Sequence, residues 1–230
     1  MIFELENKVI LVTGASSGIG RQICITASEL GAVVIACGRN EIELNITLSL
    51  MKKSNHKSII FDLTDTINLS ELTNQLPKLD GIVHCAGVAK YIPFKAISEK
   101  ELRFIQTLNY EAPILLTQSL LRNKLINPKG SIIFITSISG MIGTVANGLY
   151  AGSKGALISA SRALALEVAG QKIRANCISP GMIITPLSSK IQETISEEVF
   201  NEKEKLHPLG FGLPEDVANT TVFLLSDKPK

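Results

Sequence analysis

Short runs of consecutive apolar residues, many of them β-branched, recur along the chain and are separated by longer stretches with apolar residues at helical spacing. Lys8-Val9-Ile10-Leu11-Val12-Thr13 is the first such run, and its unbroken apolar character predicts a strand covered on both faces. It ends in a glycine-rich turn, after which Ile19 to Leu30 has helical spacing and Gly31 supplies a stop. Ala32 to Ala36, Ser58 to Phe61, Gly81 to His84, Ser131 to Thr136 and Ile173 to Ile178 repeat the run as strands two to six, each followed by room for a helix. Pro77, Pro128 and Pro180 punctuate the junctions. This alternation predicts an α/β fold: a single domain over residues 1–230, built on a Rossmann-type, doubly wound parallel sheet. Pro180 to Lys205 contains no strand and reads as a mobile lobe over a site.

Composition narrows the partners. The 23 basic and 21 acidic residues leave a formal charge of +2 and form no basic run that could track a phosphate backbone, so nucleic acid is not expected. Cys24, Cys37, Cys85 and Cys177 lie far apart without metal-ligand spacing and read as four free, buried thiols in a reducing compartment. No apolar stretch approaches the ~18–20 residues that span a bilayer, and Met1 to Lys8 has no signal core. The expectation is a cytoplasmic protein with no membrane association.

The turn after strand one, Thr13-Gly14-Ala15-Ser16-Ser17-Gly18-Ile19-Gly20, stands between a strand and a helix N-terminus. Glycines there permit the tight turn and let backbone N–H groups approach a pyrophosphate, while Ser16 and Ser17 add hydroxyl donors. The spacing is GxxxGxG, different from the GxGxxG fingerprint, and a packing-only turn is the alternative. Strand two ends at Cys37-Gly38-Arg39-Asn40. An acid there would bind a ribose 2′-hydroxyl, whereas Arg39 suits a 2′-phosphate, so NADP(H) is favoured and NAD(H) stays possible; the alternative is an ordinary surface arginine. Asp62, after strand three, reads either as an acceptor for the adenine amino group or as a helix N-cap near Thr64.

Tyr150-Ala151-Gly152-Ser153-Lys154 sets a phenol and an ammonium one helical turn apart, an arrangement expected to lower the phenol pKa and make Tyr150 a general acid or base. Ser137 follows strand five, at the sheet edge where open α/β folds bind ligands, and its hydroxyl would orient a substrate carbonyl. Taken singly, each has a bland reading as core, loop or solvated residue; the joint placement is what points to chemistry.

With these residues assembled, the sequence resembles the short-chain dehydrogenase/reductase family, and 3-oxoacyl-carrier-protein reductases within it. The likeness rests on TGxxxGxG at Thr13 to Gly20, Asp62-Leu63, Ala86-Gly87, Asn109, Ser137, Tyr150-xxx-Lys154 and Pro180-Gly181. It implies a carbonyl or secondary-alcohol substrate, such as a 3-oxoacyl thioester or a sugar. It makes Tyr150 the proton donor, Ser137 its partner, Lys154 the group that tunes Tyr150 and holds the nicotinamide ribose, and Asn109 the anchor of a relay water. It further implies that Cys85, Ala86 and Gly87 line the adenosine side of the cleft, that Leu63 flanks Asp62 there, and that Ile183 and Thr185 meet the carboxamide.

The sequence departs from the family pattern in three places. His84-Cys85 replaces the usual Asn-Asn, and His84 reads as a satisfied core residue without chemistry. The chain after Leu225 lacks the family's last strand, which leaves strand six as an edge and unsettles the surface through which relatives assemble. Met141 to Leu149 is apolar except for Thr144 and Asn147 and offers no charge to grip an anion. The small residues on the helix from Ala151 to Ala169 fit either a homodimer or homotetramer interface or packing within the subunit. Two other functions compete with the oxidoreductase: a non-catalytic dinucleotide sensor or scaffold on the same fold, and a serine hydrolase using Ser137. The latter lacks a GxSxG elbow and a placed histidine.

Overall fold

A computed structural model describes residues 4–52, 55–192, 200, 202 and 204–228. Six strands form one parallel sheet: β1 (Val9–Thr13), β2 (Val33–Gly38), β3 (Lys57–Ile60), β4 (Leu79–His84), β5 (Ile126–Ile135) and β6 (Arg174–Ile178), in the order β3-β2-β1-β4-β5-β6. The helices are α1 (Gly18–Glu29), α2 (Glu41–Leu50), α3 (Leu69–Thr73), α4 (Glu99–Gln106), α5 (Ala112–Arg122), α6 (Gly148–Val168), α7 (Pro186–Gln192) and α8 (Pro214–Leu225). Parallel neighbours need crossovers, and the crossovers place helices on both faces, which is why the strands are apolar on both sides.

The two-residue period of the strands divides the core. Ile10, Val12, Val34, Ala36, Ile133 and Ile135 turn to a layer shared with Ile23 and Ala27 of α1 and with Val217, Ala218 and Val222 of α8. Leu11, Ile35, Ile82, Ile132 and Phe134 turn the other way, against Leu116 and Leu120 of α5 and Leu157 of α6. His84 lies in this second layer, stacked on Phe134 with ring centroids 4.9 Å apart, its Nε2 2.8 Å from the Thr117 hydroxyl. Burial pushes its pKa down to about 3, so the imidazole is neutral and structural.

All six expected strands are present, with shifted ends. β5 begins at Ile126, so Pro128 lies inside it rather than at a junction. The proline is tolerated because the register jumps from Leu79↔Ile126 to Gly81↔Ser131, a bulge in which Lys129 has φ +67°. In the region after Pro180, expected as a strandless lobe, the described residues form α7 and an isolated bridge between Ile183 and Gly212 but no named strand; residues 193–199, 201 and 203 lie outside the described residues. Among the described residues β6 is one edge strand and β3 the other. Cys24 and Cys37 are buried as expected, but Cys85 and Cys177 are only partly so, and all four are free thiols. No helix among the described residues is long and apolar enough to cross a membrane.

Phe134 carries the largest fully buried side chain in the core. Phe134→Ala should lower the unfolding free energy by about 3–5 kcal/mol in urea titrations, through lost transfer energy and a residual cavity. A loss under 1 kcal/mol would mean that the second layer is loosely packed.

Candidate active site

The strand order reverses between β1 and β4, whose connections leave in opposite directions and open a crevice beyond the strands' carboxyl ends. The turns after these two strands pack backbone on backbone. Gly14 has φ +66°, and a Cβ there would fall 2.7 Å from Ala86 Cα, so the position excludes any side chain. The Thr13 hydroxyl accepts the N–H groups of Cys85 and Ala86 at 3.1 and 3.3 Å, tying the turns together. Thr13 entered the sequence reading only as part of a motif, and its role as the tie required the β1 and β4 neighbourhood.

The start of α1 is built for an anion. Its N-cap, Ser17, makes no side-chain cap, and its first turn contains no acidic residue, so no side chain of its own neutralises the positive helix end. Gly18, with φ +51°, lies against the Thr185 side chain, and Gly20 packs on the Gly14 carbonyl. Ser16 Oγ sits beside Gly38, and Ile19 packs on the first core layer. These features fit a dinucleotide pyrophosphate.

At the end of β2, Arg39 is exposed and lies 3.9 Å from Asp62. Asp62 closes a local turn and caps no helix: its Oδ1 accepts the backbone N–H and hydroxyl of Thr64 at 2.9 and 2.8 Å, while α3 begins only at Leu69 with Asn68 at its N-cap. The Thr64 N–H holds this carboxyl below its ordinary pKa, against a smaller burial effect, and the Thr64 hydroxyl and Arg39 charge add to the lowering. Leu63 turns its side chain into the second core layer, leaving only backbone for a ligand. Ile183 packs on the first layer, and the Thr185 hydroxyl and backbone are engaged with Ser188.

Tyr150 and Lys154 share the inner face of α6, and Ser137 reaches them from the end of β5 and hydrogen-bonds the Tyr150 phenol. The Ser137 hydroxyl also accepts the Ser139 N–H at 3.1 Å. Lys154, 4% exposed, donates to the Ile135 carbonyl at 2.8 Å, and its Nζ is 5.8 Å from the Tyr150 ring centre. One electrostatic expectation is corrected: the Tyr150 pKa is raised, not lowered. Burial dominates, and the Ser137 hydrogen bond offsets only part of it. Burial likewise pushes Lys154 down to about 8 and Cys85 up to about 12.

Asn109 lies in a π-helical turn, Thr107–Glu111. Its side chain is fully engaged: Oδ1 accepts the Val88 N–H at 2.9 Å, and Nδ2 donates to the Val88 carbonyl and to Ser153 Oγ at 2.8 and 3.1 Å. It pins the turn after β4 to α6, with Gly87 between it and Lys154 Nζ. Gly155 packs against Gly140, so at this position the small residues of α6 serve contact within the subunit.

A parallel sheet with a switch-point crevice, an anion-ready helix start and a Ser, Tyr and Lys group beside it defines a dinucleotide-dependent oxidoreductase. Comparison with known proteins agrees. A family model described as enoyl-(acyl carrier protein) reductase matches residues 14–230. The 3-oxoacyl-[acyl-carrier-protein] reductase FabG of Rickettsia felis is 34% identical over 228 residues, covering 99% of this chain and 92% of the relative. The NAD-dependent glycerol dehydrogenase of Listeria innocua is 31% identical, covering 98% of this chain and 89% of the relative. A crystal structure from Beutenbergia cavernae, provisionally assigned as an NAD(P)-dependent gluconate 5-dehydrogenase and holding NADP at low occupancy, superposes with a TM-score of 0.88. It is 29% identical and covers 98% of this chain and 92% of that one. The chain belongs to the short-chain dehydrogenase/reductase family.

Because Lys154 ionises at about 8 when folded and at its ordinary 10.5 when unfolded, its burial opposes folding at all pH below 8. That cost fades as pH rises from about 8 to 10.5. The stability advantage of Lys154→Met over the parent should therefore shrink across this window by an amount on the order of 3 kcal/mol. Denaturant titrations from pH 7 to 10.5 measure it; a pH-independent difference would mean that the ammonium is solvated.

Proposed function

We propose that this chain is an NADPH-dependent carbonyl reductase whose substrate is an uncharged ketone on an apolar body. The observation that carries the reading is the Ser137 and Tyr150 pair, hydrogen-bonded to each other beside buried Lys154 at the mouth of the switch-point crevice. Two converging hydroxyl groups suit a carbonyl oxygen, which supports reduction of C=O over the C=C chemistry named by the family model's description. Burial keeps the Tyr150 phenol protonated through the neutral range, as a proton donor must be. Ser137 holds the oxygen, Tyr150 gives it a proton, and Lys154 keeps two N–H groups beyond its Ile135 bond for ribose hydroxyls. Asn109 positions Gly87 against Lys154, and its backbone in the π-turn is where a relay water would bind.

The hydride is what a bound NADPH supplies. Gly14, Ser16, Ser17, Gly18, Ile19 and Gly20 would hold its pyrophosphate, and Ala86, Gly87 and the partly buried Cys85 its adenosine side. The backbone of Asp62 and Leu63 would face the adenine, and Ile183 and Thr185 the carboxamide. Arg39 is free to turn toward a 2′-phosphate, because it is exposed and its ion pair to Asp62 Oδ2 is long at 3.9 Å.

Substrate preference follows from the rim. Met141, Ile142 and Val145 lie between Ser137 and Tyr150 in sequence, Phe94 packs on Gly148 at the start of α6, and Ile184 and Leu187 flank Thr185. All six are exposed, Val145 at 91% and Phe94 at 80%. Such a rim gains by covering apolar surface and offers a polyol little. Exposed Leu115 on α5 and Leu166 on α6 support a homodimer or homotetramer.

Paired fluorescence titrations should show tighter binding of NADPH than of NADH. Arg39→Ala should cost NADPH about 1.5–3 kcal/mol of binding and NADH little; equal losses would return Arg39 to a surface role. Tyr150→Phe should abolish ketone reduction while cofactor still binds, and retention of most of the kcat would sink the mechanism. Apolar ketones should exceed keto-sugars in kcat/KM, and the reverse order would reassign the rim.

A further inference from the structure

Behind the anion-binding turn lies a half-buried polar tie that the family motif does not contain. Arg21, one residue past Gly20, sends its guanidinium away from the crevice and across to α2. Its Nε donates to Thr47 Oγ1 at 3.1 Å, and one terminal nitrogen donates to the Ser16 carbonyl and, at 2.5 Å, to the Glu43 carboxylate. Thr47 is fully buried, and its hydroxyl oxygen lies 2.9 Å from the Ala15 carbonyl and 3.0 Å from that of Glu43.

We propose that Arg21 is a positioning residue that locks the pyrophosphate turn to the ribose corner, so that the two halves of cofactor recognition form one rigid unit. This rests on the dinucleotide reading above. In a planar trans peptide the C=O and the following N–H point in opposite directions. Holding the Ala15 and Ser16 carbonyls from behind therefore aims the N–H groups of Ser16 and Ser17 away from α2, beside a helix start whose Ser17 side chain makes no cap. The other end of the tie reaches the first turn of α2. Glu43 also donates its backbone N–H to Asn40 Oδ1 at 3.2 Å, and Asn40 follows Arg39 directly. One guanidinium thus sets both the donors for the pyrophosphate and the frame that carries Arg39. Glu43 neutralises it, so it acts through the backbone and not as a further phosphate cation.

The test is binding of NADPH and NADH, by cofactor fluorescence, to the parent and to Arg21→Met, Arg21→Lys and Thr47→Val. Arg21→Met should weaken both dinucleotides by about tenfold, NADPH more than NADH, with kcat at saturating NADPH held within about twofold. Arg21→Lys, which restores one contact, should recover part of the loss. Thr47→Val is nearly isosteric and folds even if the arginine variant does not; it should weaken both by about threefold. A fall in melting temperature with unchanged dissociation constants in the Arg21→Met and Thr47→Val variants would make the tie a plain helix clamp and overturn the proposal. Parent protein that binds neither dinucleotide would overturn the cofactor reading along with it. Parent binding with unaltered variants would overturn the positioning role alone.

Discussion

The close approach of two backbone turns at the centre of the sheet is the constraint on which the rest of this structure depends. β1 and β4 are neighbours whose chains leave in opposite directions, so their following turns must share one small space. Gly14 makes room by having no side chain, Ala86 fills it, and the Thr13 hydroxyl satisfies two N–H groups that would otherwise be stranded there. A larger residue at Gly14 would push the turns apart and displace both the anion-facing helix start and the loop leading to Gly87 and Lys154.

From that contact outward, the site is a set of buried polar groups each held by a named partner. Asn109 spends its side chain on Val88 and Ser153, Thr47 on the phosphate turn, and Lys154 one of its three donors on Ile135. Desolvating an ammonium this deeply opposes folding, and the structure keeps it between Gly87, in the turn after β4, and the Ile135 carbonyl at the end of β5. The same burial acts on the neighbouring phenol in the opposite direction, holding its proton on. A pair that looks in sequence like a cation lowering a phenol pKa is, in the folded chain, governed first by the loss of water around both groups.

The outer surface of the crevice differs in kind from its floor. The floor is polar and largely tied by internal hydrogen bonds, while the rim from Met141 to Val145, with Phe94 and the residues around Thr185, is apolar and exposed. Candidate reactive groups on regular elements and an apolar rim on loops match a family in which relatives named as an acyl-carrier-protein reductase and a glycerol dehydrogenase share similar sequences.

The sequence by itself determined the elements and the family, and pointed to the candidate reactive residues. Unbroken apolar runs such as Val9 to Val12 can only be strands buried on both faces, the glycines at 14, 18 and 20 mark a turn that must approach another backbone, and Tyr150 and Lys154 share a face because a helix repeats every 3.6 residues. Tertiary structure decided what depends on residues distant in the chain. Asn109 became a saturated brace, and Pro128 part of a strand, because a bulge between β4 and β5 absorbed it. Arg21 and Thr47 carried no local signal, since their partners at Ala15, Ser16 and Glu43 are brought together only by the packing of α1 on α2. Periodicity and turn chemistry are local and survive in one dimension; hydrogen-bond partners and desolvation are properties of neighbours, and neighbours are set by the fold.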